Sequence, residues 1–134
     1  MSDPEGTLTA AQHEILQVIW NAPKGGATVT EIWQAIGQRR GITRTTVLNQ
    51  VDRLEKRGWL KREKTADGFR FTAAKNRQWT AQGLAVEFVN TFFAGSASEL
   101  VMSLLGSRKL DAEEIAKLRQ LMESRSRNRS PKKQ

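Results

Sequence analysis

Cysteine is absent from the 134 residues, and with it go disulfides, thiolate nucleophiles and every metal site built on cysteine ligands. The one histidine, His13, has no nucleophile or orienting acid in a recognisable motif around it, so a partly exposed helix position fits it better than a hydrolytic triad. No apolar run approaches the roughly 20 residues a membrane-spanning helix needs. The opening Met1-Ser2-Asp3-Pro4-Glu5 lacks the basic and apolar regions of a signal peptide. The expectation is a cytoplasmic protein with no membrane insertion, no cofactor, no metal and no enzymatic activity, of a length for one domain or a small domain with an extension.

What is present is positive charge in particular places. The formal net charge is +8, yet residues 1–43 sum to −1 while residues 44–77, beginning abruptly at Arg44, sum to +6. Residues 78–116 sum to −3 and residues 117–134 to +6. Two basic zones flanking an acidic one suit a polyanionic partner met by defined parts of the chain.

Capping signals and periodicity divide the chain. Thr9-Ala10-Ala11-Gln12 has the form of a capping box, and Ile15, Leu16, Val18 and Ile19 follow at helical spacing until Pro23, predicting a first helix over Ala10 to Asn21. A second capping box, Thr28 to Glu31, opens a short amphipathic helix with Val29, Ile32, Trp33 and Ile36 on one face, interrupted at Gly41. A third helix starts at Thr43, carries Val47, Val51 and Leu54 inward, and stops at Gly58. Leu60 to Lys64 and Phe69 to Thr72 then read as two strands joined by Thr65-Ala66-Asp67-Gly68, a hairpin signal. Helical spacing returns with Leu84, Phe88, Val89 and Phe92, breaks near Gly95, and resumes with Leu100, Val101, Leu104 and Leu105. Asp111 and Glu114 cap a last helix bearing Ile115, Leu118, Leu121 and Met122 and ending near Glu123. The acids Glu113 and Glu114 fit its first turn, where negative charge complements the helix dipole, better than a catalytic pair.

Three helices and a hairpin give a mainly α winged helix-turn-helix, assigned to residues 1–77. Residues 78–123 form a helical dimerisation arm, and residues 124–134, which hold no apolar side chain, are expected to be a disordered basic tail. The polar side of the third helix presents Arg44, Thr45, Thr46, Asn49 and Arg53. Arg pairs with guanine, Asn with adenine, and Thr offers a hydroxyl or a methyl for thymine. Such a face is often just a solvated surface, but here the adjoining hairpin and the sudden charge excess favour double-stranded DNA. Lys56, Arg57, Lys61, Arg62, Lys64 and Arg70 suit phosphates, which add affinity and fix register without specifying sequence. Leu84, Phe88, Phe92, Leu100, Leu104, Leu118 and Leu121 are expected at a homodimer interface, because three apolar stripes are more than a small winged helix can cover. Two further interpretations stay open: a winged-helix module binding protein or RNA, and a ligand-responsive regulator with a pocket among Phe88, Val89, Phe92 and Phe93.

Leu8-Thr9-Ala10-Ala11-Gln12-His13-Glu14-Ile15-Leu16 through Ile19-Trp20, Thr28 to Ile36, Thr43-Arg44-Thr45-Thr46-Val47 and Arg53-Leu54-Glu55-Lys56-Arg57-Gly58 together resemble the penicillinase-repressor (BlaI/MecI/CopY) family, over about Leu8 to Glu123. The resemblance implies a bacterial homodimeric repressor on a near-palindromic operator, with Thr45, Thr46, Asn49 and Arg53 at DNA-contacting positions. In antibiotic-responsive members it also implies a membrane-bound sensor protease as partner and cleavage at an Asn-Phe bond. The equivalent pair here is Ser103-Leu104, a departure that argues against carrying that switch over. The cysteine-rich copper motif of another branch has no counterpart in this chain.

Overall fold

The computed structural model describes residues 3–23, 25–66 and 68–128. The chain forms two compact units, Met1–Ala85 and Val86–Gln134.

In the first unit, α1 (Ala10–Asn21) begins at the expected capping box: the Thr9 hydroxyl accepts from the Gln12 N–H at 3.1 Å and the Gln12 side chain accepts from the Thr9 N–H at 3.1 Å. Thr28 and Glu31 repeat the arrangement at the start of α2 (Val29–Ile32). The expected second helix is not one regular α-helix. It widens into a π-helical segment, Trp33–Gly37, before α3 (Gln38–Arg40). Here the Trp33 ring lies against Gly37, where a Cβ would come 2.1 Å from Trp33 Cδ1, and the indole N–H donates to the Ile42 carbonyl at 3.0 Å. α4 (Arg44–Lys56) starts at Thr43, whose hydroxyl accepts from the Thr46 N–H at 3.1 Å.

The hairpin β1 (Leu60–Thr65) and β2 (Gly68–Ala73) is antiparallel, with register from Leu60↔Ala73 to Thr65↔Gly68. Pairing runs one residue further at each inner end than periodicity suggested, leaving a two-residue connection. A third strand position was not foreseen: Ala27 bridges Phe71, donating to its carbonyl at 3.1 Å and accepting from its N–H at 2.8 Å. This bridge couples the segment before α2 to the hairpin. It requires glycine at position 26, where φ is +78° and a Cβ would stand 2.1 Å from the Phe71 carbonyl oxygen.

One core holds these elements together: Ile15, Leu16 and Ile19 from α1, Val29, Ile32 and Ile36 from the second helical segment, Val47, Val51 and Leu54 from α4, and Trp59, Leu60 and Phe71 from the hairpin. Each such side chain contributes about 1.5–3 kcal/mol on burial.

α5 (Arg77–Phe92) opens with Asn76 Oδ1 accepting from the Trp79 N–H at 2.7 Å. The boundary between units falls inside it rather than at residue 77, because its first turns belong to the first unit: Thr80 is buried, Trp79 meets the Trp59 ring edge-on at 6.2 Å, and Arg77 lies over Trp20. In the second unit α6 (Ala97–Gly106) is capped by Ser96, whose hydroxyl accepts from the Glu99 N–H at 3.2 Å. α7 (Ala112–Asn128) is capped by Asp111, which accepts from the Glu114 N–H at 2.8 Å. α7 does not end near Glu123: it continues through Ser124 to Asn128, so five residues assigned to the tail are helical. Their charges fit, since Arg125 and Arg127 lie in the last turn, where cations complement the helix dipole. Residues 129–134 of the expected tail lie outside the described residues.

Gly26→Ala should destabilise the protein by about 2 kcal/mol or more, through strained backbone and loss of the Ala27–Phe71 bridge. Gly83→Ala, in a helix with open space around the added methyl, should instead be neutral or stabilise by up to about 1 kcal/mol. Urea denaturation of both variants provides the check.

Candidate nucleic-acid interface

α4 is a helix of two unlike sides. Val47, Val51 and Leu54 are 0% exposed, which fixes the helix rotationally and turns Arg44, Thr45, Thr46, Asn49 and Arg53 outward, all exposed. All five expected base-reading side chains therefore share one surface. Two are oriented: Arg44 Nε donates to the Thr30 hydroxyl at 2.8 Å, and the Thr46 hydroxyl lies 3.1 Å from that of Thr43. Gln50 turns to the interior side, where it accepts from the Gln12 amide at 3.0 Å. Asp52 on the outer side is paired with Lys56 at 3.1 Å.

The basic side chains expected at phosphates divide into two groups. Lys61 and Lys64 project from β1, and with Arg53 they have no ion-pair partner among the described residues. Others are committed to the fold. Arg57 points back to the N-terminal segment, donating from Nε to the Glu5 carbonyl at 2.9 Å and from Nη2 to the Thr7 carbonyl. Arg70 is half-buried, and its Nη1 donates to the Gly26 carbonyl at 3.2 Å and to Glu31 Oε1 at 3.1 Å. Arg62 pairs with Glu55 at 3.3 Å, and its guanidinium lies 4.8 Å from the centre of the Phe69 ring.

Two side chains of this surface were not anticipated. Leu48 and Phe69 are exposed and line a cleft of about 600 Å³ between α4 and the hairpin, bordered by Arg44 and Arg62. The signal for Leu48 was available: it follows the buried Val47 but falls off the inward stripe of Val47, Val51 and Leu54.

Carboxylates secure the platform. The Thr28 backbone N–H, donating to Glu31, holds this carboxyl below the usual glutamate range against the opposing effect of burial, and the Arg70 charge adds to the lowering. Glu14 is likewise lowered, first by its hydrogen bond from Arg40 and then by that from Arg39, tying α1 to α3. His13 bonds Gln17 through Nδ1 at 3.0 Å and packs edge-on to Trp20. No group of three or more metal-ligating side chains occurs among the described residues.

In the second unit no residue from 90 to 127 is buried. Of the expected interface residues Phe88, Phe92, Leu118 and Leu121 are exposed, whereas Leu100 and Leu104 are half-buried. Leu84, also half-buried, belongs to the first unit. An open apolar groove of about 760 Å³ runs between α6 and α7, lined by Val101, Met102, Leu105, Ile115, Leu118 and Met122 among others. The Ser103-Leu104 bond lies inside α6. The Ser103 carbonyl accepts from the Ser107 N–H at 3.0 Å, and the Leu104 carbonyl accepts from the Lys109 N–H at 3.1 Å and the Ser107 hydroxyl at 2.9 Å. No single helix among the described residues is long and apolar enough to cross a membrane.

Because the Glu31 carboxyl titrates lower in the folded chain than in the unfolded one, its charge stabilises the fold at neutral pH, and this contribution is lost as pH falls through the depressed folded value. Glu31→Gln keeps a capping acceptor but removes the charge. The stability gap between wild type and E31Q, measured by denaturant unfolding, should be present at pH 7. It should close as the pH falls below about 4.3, the ordinary glutamate value.

The chain is similar to two kinds of regulator along almost its whole length. The methicillin resistance regulatory protein MecI of Mammaliicoccus sciuri is 24% identical over 115 residues, covering 86% of this chain and 92% of the relative. MecI of Staphylococcus aureus strain N315 is 23% identical with the same coverage, and a penicillinase repressor of Staphylococcus aureus is 21% identical over 122 residues, covering 91% and 95%. These relatives are regulators, in keeping with the expectation that the chain is not an enzyme. With residues 8–124 matching the family model described as penicillinase repressor, and with the winged-helix unit bearing its outward polar helix, this chain belongs to the penicillinase repressor family of transcriptional regulators.

Proposed function

We propose that the protein is a homodimeric, sequence-specific repressor that occupies a palindromic operator in duplex DNA. The observation that carries this is α4: one side is completely withdrawn from solvent, and the other offers five unburied polar side chains of the types that hydrogen-bond base edges and phosphates. In this scheme α4 enters the major groove, Thr45, Thr46, Asn49 and Arg53 read bases with Arg44, and Lys61 and Lys64 of the hairpin lie along phosphates. Arg70 is reassigned. Its guanidinium joins Gly26 and Glu31, so its part is to hold the hairpin to α2 rather than to bind phosphate as a first duty.

Dimerisation supplies what the second unit lacks. Phe92 is 68% exposed and Met122 70%, and apolar surface of this extent in water favours self-association around a two-fold axis. Two recognition helices then fall in successive major grooves about 34–36 Å apart. Linking two half-site readers makes the second contact intramolecular and raises affinity by orders of magnitude. Release by cleavage at Ser103-Leu104 forms no part of this proposal, because the Ser103 carbonyl of that bond is held in a helical hydrogen bond and the residue pair departs from Asn-Phe.

Fluorescence anisotropy with duplexes selected from a randomised library tests the base-reading face. Asn49→Ala should lose about 1–3 kcal/mol of discrimination at one base pair of each half-site. Lys64→Ala should weaken all sequences alike and reduce the slope of log affinity against log salt by about 1. Absence of sequence preference in the wild-type protein would overturn the proposal.

Phe92→Glu places a charge in the exposed apolar surface of the second unit. It should convert the dimer to monomer in sedimentation while leaving the helical circular dichroism intact, and it should lower operator affinity by at least about tenfold.

A further inference from the structure

Among the described residues of the first unit, three large apolar side chains are exposed: Leu48, Phe69 and Trp79. Trp79 is accounted for, set edge-on to Trp59 and covered by the Lys75 ammonium 4.9 Å from its ring centre. The other two converge. Leu48 on α4 is 42% exposed and Phe69 on β2 46%, and both line the cleft between helix and hairpin. Scattered apolar side chains on a surface are ordinary. Two lining one cleft, between Arg44 and Arg62 and beside the base-reading positions, are not scattered.

Leu48 stands one turn after Arg44 and next to Asn49, on the hairpin side of the outward face. It has no polar atom with which to hydrogen-bond a base or a phosphate. The apolar feature that a base edge presents in the major groove is the C5-methyl group of thymine. Phe69 lines the same cleft, its ring held under the Arg62 guanidinium, which is itself paired with Glu55. Leu48 and Phe69 thus form an apolar patch in a cleft whose other lining includes the polar Thr28, Thr30 and Glu31.

We propose that Leu48, backed by Phe69, is a specificity-determining residue that selects thymine at one position of each half-site by packing on its C5-methyl group. This rests on the base-reading role of α4 proposed above, and the experiment separates the two. Full-length protein is used to select duplexes from a randomised library, and each half-site thymine of the tightest duplex is replaced singly by deoxyuridine, which removes the methyl alone. At one position wild-type affinity should fall about fourfold, the worth of one buried methyl or methylene group. Leu48→Ala and Leu48→Gln should bind the thymine and uracil duplexes equally, and Leu48→Met should keep the preference. Retention of the wild-type thermal midpoint in these variants shows that the fold is intact. If no uracil substitution weakens the wild type, or if L48A and L48Q retain the preference, the assignment to Leu48 is overturned while base reading by α4 stands. If no sequence is enriched at all, both fall.

Discussion

The fold depends first on the burial of one side of α4. Val47, Val51 and Leu54 close the middle of the core against Ile15, Leu16 and Ile32, all nearly or wholly withdrawn from water. In an α-helix, committing one stripe commits the opposite one, because rotation by a single residue would move apolar side chains into solvent at about 1.5–3 kcal/mol each. The orientation of Thr45, Asn49 and Arg53 is thus a consequence of packing on the far side of the helix. No contact among those three side chains is needed to hold them where they are.

The surrounding hydrogen bonds convert that orientation into a rigid platform. Three tryptophans act alike: Trp20 donates to the Lys75 carbonyl, Trp33 to that of Ile42 and Trp59 to that of Glu5, each pinning a connecting segment at 3.0–3.1 Å. Arg57 adds a clamp on the N-terminal segment, and the Glu31–Arg70–Gly26 cluster ties hairpin to helix. A buried indole N–H without a partner would cost free energy, so these bonds favour one path of each connection over its alternatives. Positive charge in this unit serves two ends. Arg57 and Arg70 brace the fold, whereas Arg53, Lys61 and Lys64 stand in solvent, available to a polyanion.

The second unit poses the opposite physical problem. Its helices are well capped, at Ser96 and at Asp111, so their ends are locally satisfied. Their apolar faces are not, since no side chain from residue 90 to 127 is withdrawn from water. Capping contributes about 1 kcal/mol per helix, while stability of short helices comes mainly from covering an apolar face. That disparity is the physical ground of the homodimer proposed above.

Local chemistry was legible from the residue order alone. The capping boxes at Thr9 and Thr28, the start of α4 at Thr43, the hairpin after Trp59 and the inward stripe of α4 all follow from interactions within a few residues, which a sequence displays directly. The family resemblance was legible as well, through the order and spacing of the same elements. Tertiary structure decided what depends on residues distant in the chain. It paired Ala27 with Phe71, turned Arg57 and Arg70 into braces, carried the first turns of α5 into the first unit, and brought Leu48 and Phe69 to one cleft. Lysine and arginine have the same charge whether they face a carbonyl or a solvent-filled cleft. Only the fold determines which partner lies within 3 Å, and so which cations remain for another molecule.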